Sequence, residues 1–589
     1  MPRSILAAAL AGGFLLAPPI GSAVKLPADP AARFADLVER EWRWRLAEFP
    51  TFATSVGVHE FDDRLGDESL AAYARRDADT AGFLAELDAI DGAALPPADR
   101  IDAEILRAQL EERRQDFRYG EHLLTLNADS GFHTSFALLA MGLPFSTARD
   151  CENYLARLAA FPRFVDQHLE RMREGIRRGM TVPRATLDGI EATIRPLAEV
   201  APEAHPLFAP FTRIPSTVPE TTRAELAARG RAAIADAILP AYRKFRDFMA
   251  AEYLPGCRAT LAARDLPEGE AYYRWRIRSQ TTLDLEPRAI HELGLAELAA
   301  IRAEMERVIE STGFQGSFAD FLAFLRTDER FYAKTPEALL ERASWIAKRM
   351  DAKLPSLFGR LPRQPYGVMA VPAALAPKYT SGRYSPSPPD STEPGWYWVN
   401  TYALAQRPLY NLEALTLHEA VPGHHLQGAL AQEAEGVRPF RRFSYLPAYG
   451  EGWGLYSEFL GEEAGFYTDP YSRFGYLGYR AWRAARLVVD TGLHALGWTR
   501  QRAIDFLAAN TSLPLVEATT ETDRYISWPG QALSYYLGYL KLRDPRARAE
   551  QALGERVDLR AFHDEVLRHG SVPLPLLEEI VDAWIAARR

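Results

Sequence analysis

The 589-residue sequence predicts a mainly α-helical protein with one small β segment. Apolar residues recur at helical spacing through most of the chain, for example in residues 31–49, 70–90 and 335–354. Residues 95–99, with two prolines, and residues 200–219, rich in Pro and Thr, connect helical stretches, and residues 364–402, rich in Pro, Gly and Ser, break the helical rhythm. The interruption ends in G-W-Y-W-V-N-T-Y at residues 395–402, an aromatic and β-branched run that is typical of a β-strand.

The composition is that of a soluble globular protein, with 47% apolar and 25% charged residues. The formal net charge of −9 and the interspersed basic residues give no reason to expect a nucleic-acid partner. Arg3, an apolar run at residues 5–16 and small residues at 21–23 resemble a secretory signal. We therefore expect residues 1–23 to be a signal peptide. The mature chain, 24–589, would be periplasmic or secreted, without a stable membrane anchor.

The densest group of chemically active side chains is L-H-E-A-V-P-G-H-H-L at residues 417–426. A zinc hydrolase needs three protein ligands and one open position for water. In the usual helical pattern H-E-x-x-H, two histidines four residues apart share one helix face. Here the residue four places after His418 is Pro422, so the second ligand would be His424 or His425.

Neither histidine could share an ion with His418 in an unbroken helix. His424 would point about 120° away, and His425 would lie about 10 Å further along the axis. Two ligand nitrogens at about 2.0–2.1 Å from one zinc lie only a few ångströms apart. We therefore predict that Pro422–Gly423 interrupts the helix, because proline lacks the amide hydrogen and glycine tolerates unusual backbone angles.

The third ligand is predicted in G-E-G-W-G-L-Y-S-E at residues 450–458. Glu451 follows His424 by enough chain to finish one helix, turn and begin another. Glu451 and Glu458 are seven residues apart and hence on one helix face. The glycines of this segment would keep the helix slim where it approaches the site. Glu419 would remain free to act as the base that deprotonates a zinc-bound water.

Two other His-Glu pairs, His59–Glu60 and His291–Glu292, lack a second histidine at ligand spacing, and we interpret both as structural. The two cysteines, Cys151 and Cys257, would either pair in an oxidising compartment or remain as thiols.

Residues 418–427 resemble the pattern H-E-x-x-P-G-H-H-x-Q of the bacterial family known as domain of unknown function 885, and match it throughout. That family is similar to the gluzincin-type zinc metallopeptidases, where G-H-A-L-H of thimet oligopeptidase resembles residues 423–427. E-G-W-G-L-Y-S-E at 451–458 is similar to the segment with the glutamate ligand in angiotensin-converting enzyme. P-G-Q-A-L-S-Y-Y-L-G at 529–538 resembles the tyrosine-bearing segment of the helical carboxypeptidases.

The resemblance implies a large, helical, two-lobed zincin-like metallopeptidase with a small β edge near the active site. We expect an N-terminal helical lobe at about residues 24–360 and a metal-site lobe at about 361–589. On this comparison the cofactor is Zn²⁺, held by His418, His424 and Glu451.

The activity that the resemblance implies is hydrolysis of a peptide or small amide by a carboxypeptidase, dipeptidase or oligopeptidase. Glu419 would accept the proton of the zinc-bound water and deliver it to the leaving amine. Tyr535 would stabilise the oxyanion. The candidate substrate contacts are Tyr536, Arg524, Arg383 and His425, of which the arginines would bind a substrate carboxylate.

Two rival interpretations stay open. One is a zinc hydrolase that acts on a non-peptide amide or ester. The other is a non-catalytic binding protein with a vestigial zinc site, in which His425 or Glu458 would be a fourth ligand and exclude water. We also predict that residues 396–400 form an edge strand to which an extended peptide could add, an ordinary core hairpin being the alternative.

Overall fold

The structure is a computed structural model that describes residues 29–128, 130–373 and 375–589. The predicted helical class is confirmed, because helices dominate the described residues and the strands form one small sheet. The predicted signal peptide at residues 1–23 lies outside the described residues. In the part of the chain that is described, no helix combines the length and the apolar character needed to cross a membrane.

Before the sheet, long helices make up most of the chain. The helix Ala148–Arg178 begins with a capping box, in which Thr147 accepts a hydrogen bond from the backbone N–H of Asp150 and the Asp150 side chain bonds back. The α-helices of eight or more residues in this part are Pro30–Glu48, Leu70–Asp88, Pro97–Tyr119, Ala148–Arg178, Glu191–Ala198, Glu220–Ala233, Leu239–Phe248, Gly269–Thr281, Pro287–Ser311, Phe318–Thr327 and Pro336–Asp351.

After the sheet, helices again follow one another with short connections. Pro470–His494, one of the most completely buried, packs along Pro287–Ser311 from the first half of the chain. The α-helices of eight or more residues in this part are Leu412–Glu419, His424–Gln432, Pro447–Glu463, Pro470–His494, Arg500–Asn510, Leu515–Ser527, Ser534–Leu553, Leu559–Leu567 and Leu574–Ala586.

The sheet has three strands, β1 (Tyr366–Ala370), β2 (Gly382–Ser385) and β3 (Gly395–Val399), in the order β1-β3-β2. β3 runs parallel to β1 and antiparallel to β2. The prediction of a strand in this region is confirmed, but the prediction that residues 396–400 form an edge is wrong. Both sides of β3 are paired, and Tyr397 is fully buried, which explains why this strand is so aromatic.

The hydrophobic core consists of two main clusters. The larger contains side chains from both sides of residue 360, and the smaller lies within residues 126–253. The predicted lobe boundary at about residue 360 stays a prediction, since the larger cluster continues across it. Cys151 lies in the smaller cluster and Cys257 packs against it, and both are free thiols.

The two His-Glu pairs interpreted as structural lie outside the predicted metal cluster. Nδ1 of His59 is 2.7 Å from Asp62 and its Nε2 is 2.7 Å from Asp390, in the connection between β2 and β3. Burial lowers the pKa of His59, but hydrogen bonds to these two aspartates outweigh it and raise the pKa overall. Nδ1 of His291 is 2.9 Å from the hydroxyl of Thr491.

Candidate metal centre

The helix that carries His418 is broken just after that residue. It spans Leu412–Glu419, and a second helix begins at His424 and spans His424–Gln432. The predicted interruption at Pro422–Gly423 is therefore confirmed. A Cβ atom on Gly423 would lie 1.8 Å from the carbonyl oxygen of His418, so only glycine permits so tight a return of the chain.

The helix Pro447–Glu463, called here the glutamate helix, lies directly against this break. Its Trp453 donates a hydrogen bond of 2.8 Å from Nε1 to the carbonyl oxygen of Pro422. A Cβ atom on Gly454 would lie 2.6 Å from Cε1 of His418. The prediction that glycine keeps this helix slim near the site is thus confirmed, because any larger residue would meet the imidazole.

Three side chains converge where the broken helix meets the glutamate helix. Oε2 of Glu451 is 3.5 Å from Nε2 of His418 and 3.4 Å from Nε2 of His424. The three candidate ligand atoms all lie within 4.8 Å of one another. Two atoms bound to one tetrahedral zinc at about 2.0–2.1 Å are about 3.3–3.4 Å apart. The spacing and the donor set, two imidazole nitrogens and one carboxylate oxygen, therefore fit zinc.

A second glutamate orients the first ligand. Nδ1 of His418 lies 2.8 Å from Oε1 of Glu458, which is fully buried on the glutamate helix. Donation from Nδ1 fixes the tautomer and leaves Nε2 as the ligand atom. Glu451 is held in turn by Tyr445, whose hydroxyl donates to Oε1 at 3.1 Å. The two glutamates share one helix face, as their spacing predicted, and meet opposite edges of one imidazole.

The cluster strongly favours positive charge. Burial lowers the pKa of His418, but hydrogen bonds to Glu451 and Glu458 outweigh it and raise the pKa to about 10. Burial raises the pKa of Glu451, yet hydrogen bonds from His418 and His424 hold it well below its usual range. Carboxylates placed in this way attract a proton or a divalent cation to the same position.

Glu419, the predicted base, is oriented by the sheet. The backbone N–H of Tyr384, on β2, donates to Oε2 of Glu419 at 2.7 Å. Glu419 is 8% exposed and lines the same cavity as the three candidate ligands. Among the described strands β2 pairs with β3 alone, and its other edge meets Glu419. The sequence predicts this edge at residues 396–400 instead.

His425 does not join the cluster. Its Nδ1 is 3.0 Å from the hydroxyl of Tyr384, and its ring packs against Tyr366. Burial lowers the pKa of His425 to about 4, so it is neutral at pH 7 and can accept that hydrogen bond. His425 lies outside the residues that line the cavity and supports Tyr384, so the structure does not bring it to the place where its predicted substrate contact would be made.

The cavity beside the cluster has a volume of about 630 Å³. The predicted site residues that line it are His418, Glu419, His424, Glu451, Arg383, Arg524 and Tyr535. Tyr536 is not among them. It is buried and donates to Oε2 of Glu297 at 2.6 Å, so the structure does not bring it to the cavity where its predicted substrate contact would be made. Consecutive helical residues point about 100° apart, and here Tyr535 faces the cavity while Tyr536 faces Glu297.

Tyr535 lines the cavity close to His418. Its ring centre is 6.4 Å from that of His418. Arg524 donates from Nη2 to the Tyr535 hydroxyl oxygen at 3.3 Å, and Gln531 approaches the same oxygen at 3.5 Å. Because this oxygen accepts hydrogen bonds from protein donors, the hydroxyl hydrogen is available for an acceptor in the cavity.

Sequence reasoning missed two features of the site. The N–H of Tyr384 acts through the backbone and leaves no side-chain signature. The hydrogen bond from Tyr445 comes from a residue outside the motif that carries Glu451. That Glu458 bonds Nδ1 of His418 could have been predicted from the sequence, because its spacing from Glu451 places both glutamates on one helix face.

The chain is similar to a "putative lipoprotein" of solved structure from Colwellia psychrerythraea, with 26% identity and a TM-score of 0.89, over 95% of this chain and 100% of that one. The chain is also similar to a "putative lipoprotein of unknown function" from Shewanella oneidensis, with 17% identity and a TM-score of 0.66, over 93% of this chain and 99% of that one. At this identity the similarity shows the fold alone. No curated protein matches. A profile of bacterial proteins of unknown function matches residues 50–581, and the chain therefore belongs to the family DUF885.

Proposed function

We propose that this protein is a zinc-dependent hydrolase that cleaves peptide bonds, as a carboxypeptidase, dipeptidase or oligopeptidase. The observation that carries the proposal is the convergence of His418, His424 and Glu451 on one point beside Glu419. Catalytic zinc sites use three protein ligands and keep the fourth position for water. Two histidines and one glutamate match that requirement in number and in chemistry.

The residues around the cluster have the positions that such a hydrolysis requires. When bound, zinc lowers the pKa of a water molecule to about 7 and polarises the substrate carbonyl. Glu419, held by the N–H of Tyr384, takes the proton of the attacking water and passes it to the leaving amine. Tyr535, whose oxygen accepts from Arg524, donates its hydroxyl hydrogen to the oxyanion that develops on the substrate.

The outer edge of β2 supports a peptide as substrate. Gly382, Arg383 and Tyr384 line the cavity along this edge, and the N–H of Tyr384 bonds Glu419, so the remaining backbone groups of the edge are the ones that a peptide could meet. An extended peptide can pair with an open strand edge through its backbone, whatever its side chains. A non-peptide amide or ester remains the alternative substrate, and a screen of both classes would separate the two.

The positions of the two candidate fourth ligands support a hydrolase over a closed, vestigial site. Glu458 bonds Nδ1 of His418, the ring nitrogen opposite the one that faces the cluster. His425 bonds Tyr384 instead. Neither belongs to the group of ligand atoms that converge within the described residues, so the proposed site keeps a position for water.

We also propose that the protein acts outside the cytoplasm, in the periplasm or after secretion. The signal-like N-terminus predicts export, and the similar protein from Colwellia psychrerythraea is described as a "putative lipoprotein". Fractionation of cells that express the full chain would locate it. Recovery in the cytoplasmic fraction alone would contradict this part of the proposal.

The test of the function compares wild type with Glu419→Gln in the purified, zinc-loaded chain. Zinc per chain should be equal, and turnover of a mixed peptide pool should fall by about 10²–10⁴-fold, the usual contribution of a general base. Glu435→Gln, the same change at an exposed position in the loop after the His424 helix, serves as the control and should keep full turnover. Equal turnover in Glu419→Gln and wild type would remove Glu419 from the mechanism.

A further inference from the structure

An arginine cluster lies in the wall of the metal cavity, around Tyr535. Arg483 and Arg486 are on the helix Pro470–His494, and Arg524 is on a later helix. All three line the cavity. The guanidinium carbon of Arg486 lies 4.2 Å from the centre of the Tyr535 ring, and that of Arg483 lies 6.0 Å away. Three cationic groups thus surround the residue proposed to stabilise the oxyanion.

Two of these arginines have buried hydrogen-bond donors without a partner in the part of the chain that the structure describes. The side chains of Arg483 and Arg486 are 5% and 2% exposed. Nη1 of Arg486 and both Nε and Nη1 of Arg483 are buried without a hydrogen-bond partner among the described residues. Arg486 bonds Glu521 at 3.1 Å through its other terminal nitrogen. Buried charged donors that stay unmet cost free energy, and an anion in the cavity would offset that cost.

Arg483 forms an ion pair with Glu458, but this carboxylate already accepts a hydrogen bond from His418. Nη2 of Arg483 is 3.7 Å from Oε1 of Glu458, the same oxygen that accepts from His418 at 2.8 Å. Arg483 is therefore held between the metal centre and the cavity wall. An anion that binds the arginine cluster would lie close to the metal site.

We propose that Arg483, Arg486 and Arg524 form a subsite for a free carboxylate of the substrate. Guanidinium and carboxylate groups match as two parallel hydrogen bonds, and this pairing is among the strongest available to a side chain. A small anion such as acetate could form the same hydrogen bonds with the arginines. A substrate carboxylate must in addition lie at the right distance from the scissile bond.

The distances set where that carboxylate lies in the substrate. The rings of Tyr535 and His418 are 6.4 Å apart, and the arginine cluster lies against Tyr535. An extended peptide advances about 3.3–3.6 Å per residue. A carboxylate one or two residues beyond the scissile bond therefore reaches the cluster while that bond lies at the metal centre. The inference rests on the proposed function and specifies it as removal of one or two residues from a free C-terminus.

The test measures binding rather than turnover. Tri-alanine and tri-alanine amide, which differ only in the terminal charge, are titrated calorimetrically into the full zinc-loaded chain carrying Glu419→Gln. Loss of one partner of a buried charged pair typically costs well over tenfold in affinity, so the free acid should bind at least about tenfold tighter than the amide. Equal affinity of the two ligands would overturn the proposal without any further variant.

Three additional substitutions in the same background locate the effect. Arg524→Gln and Arg486→Lys should each shrink the preference for the free acid toward about twofold or less, since each removes one fork of the subsite. Arg473→Gln is the matched control, because Arg473 is on the same helix as Arg483 and Arg486, is not among the residues that line the cavity, and pairs with Glu462 at 2.9 Å. Its preference should stay intact. A preference that survives both Arg524→Gln and Arg486→Lys, or disappears in Arg473→Gln, would refute the assignment.

This design separates the two proposals. A chain that hydrolyses no peptide yet prefers the free acid would keep the carboxylate subsite and lose the proposed function. A chain that hydrolyses acids and amides alike, and binds them equally, would keep the hydrolase and lose the subsite. Thermal melts of each variant confirm that the binding data come from folded protein.

Discussion

The hydrogen bond from His418 to Glu458 predicts how strongly the site holds zinc. The bond is 2.8 Å long, and the carboxylate is fully buried, so no bulk water can take its place. In Glu458→Gln the amide oxygen can still accept from Nδ1, but the negative charge that makes the imidazole a better ligand is lost. We expect the metal centre to keep its geometry and to bind zinc more weakly.

The size of the effect follows from the position of Glu458 behind the ligand. Changing such an outer partner typically weakens metal binding by about 10–100-fold, or about 1.4–2.7 kcal/mol. Because Glu458 is buried and bonds the ligand directly, we expect at least about tenfold weaker binding. The substitution also lowers the negative charge near Arg483, so the variant must first be shown to fold.

The assay is competition for zinc between the full chain and a chelating dye of known affinity. Glu462→Gln is the control, since Glu462 lies one turn along the same helix and pairs with Arg473 at 2.9 Å instead of with a ligand. Its dissociation constant for zinc should equal that of wild type. An unchanged dissociation constant in folded Glu458→Gln would refute the argument that Glu458 supports the metal ligand.

Three further substitutions probe other parts of the molecule. Gly454→Ala would push a methyl group against His418, so zinc affinity should fall and the free energy of unfolding should drop by about 1–3 kcal/mol in denaturant titrations. His59→Gln removes a histidine whose pKa is raised in the folded state, a contribution to stability that is present below about pH 6.5 and lost as the pH rises through the folded pKa. The melting temperature of His59→Gln should therefore lie further below that of wild type at acidic than at alkaline pH. Tyr535→Phe should lower kcat by about 10²–10³-fold and leave the zinc content unchanged.

Each of these expectations has an outcome that contradicts it. Unaltered stability and zinc affinity in Gly454→Ala would mean that the imidazole is not packed as closely as the structure has it. A stability difference for His59→Gln that does not vary with pH would exclude a charged His59 in the folded state. Full turnover in Tyr535→Phe would show that the hydroxyl does not stabilise the oxyanion.

The break in the metal helix could be predicted because simple geometry demands it. His418 cannot share an ion with His424 or His425 in a continuous helix, and Pro422–Gly423 was the available breaker. The glutamate helix could likewise be predicted, because the seven-residue spacing of its carboxylates places them on one face. Both arguments use distances within a local segment, where helical parameters are reliable.

Contacts between distant segments could not be predicted in the same way. The run that forms β3 has strand character, but nothing in its residues tells whether one edge or two are paired. Tyr535 and Tyr536 are adjacent and chemically alike, and only packing decides that one lines the cavity while the other bonds Glu297. Arg486 belongs to none of the motifs, and its sequence carried no local signal of its place beside the metal cavity.

The most direct test is to locate zinc in crystals of the full chain by anomalous diffraction at the zinc edge. The proposed site predicts one peak about 2.0–2.2 Å from Nε2 of His418, Nε2 of His424 and Oε2 of Glu451, with a non-protein oxygen in the fourth position. A fully loaded crystal whose peak lies elsewhere, or whose fourth ligand is a protein side chain, would contradict the proposed hydrolase.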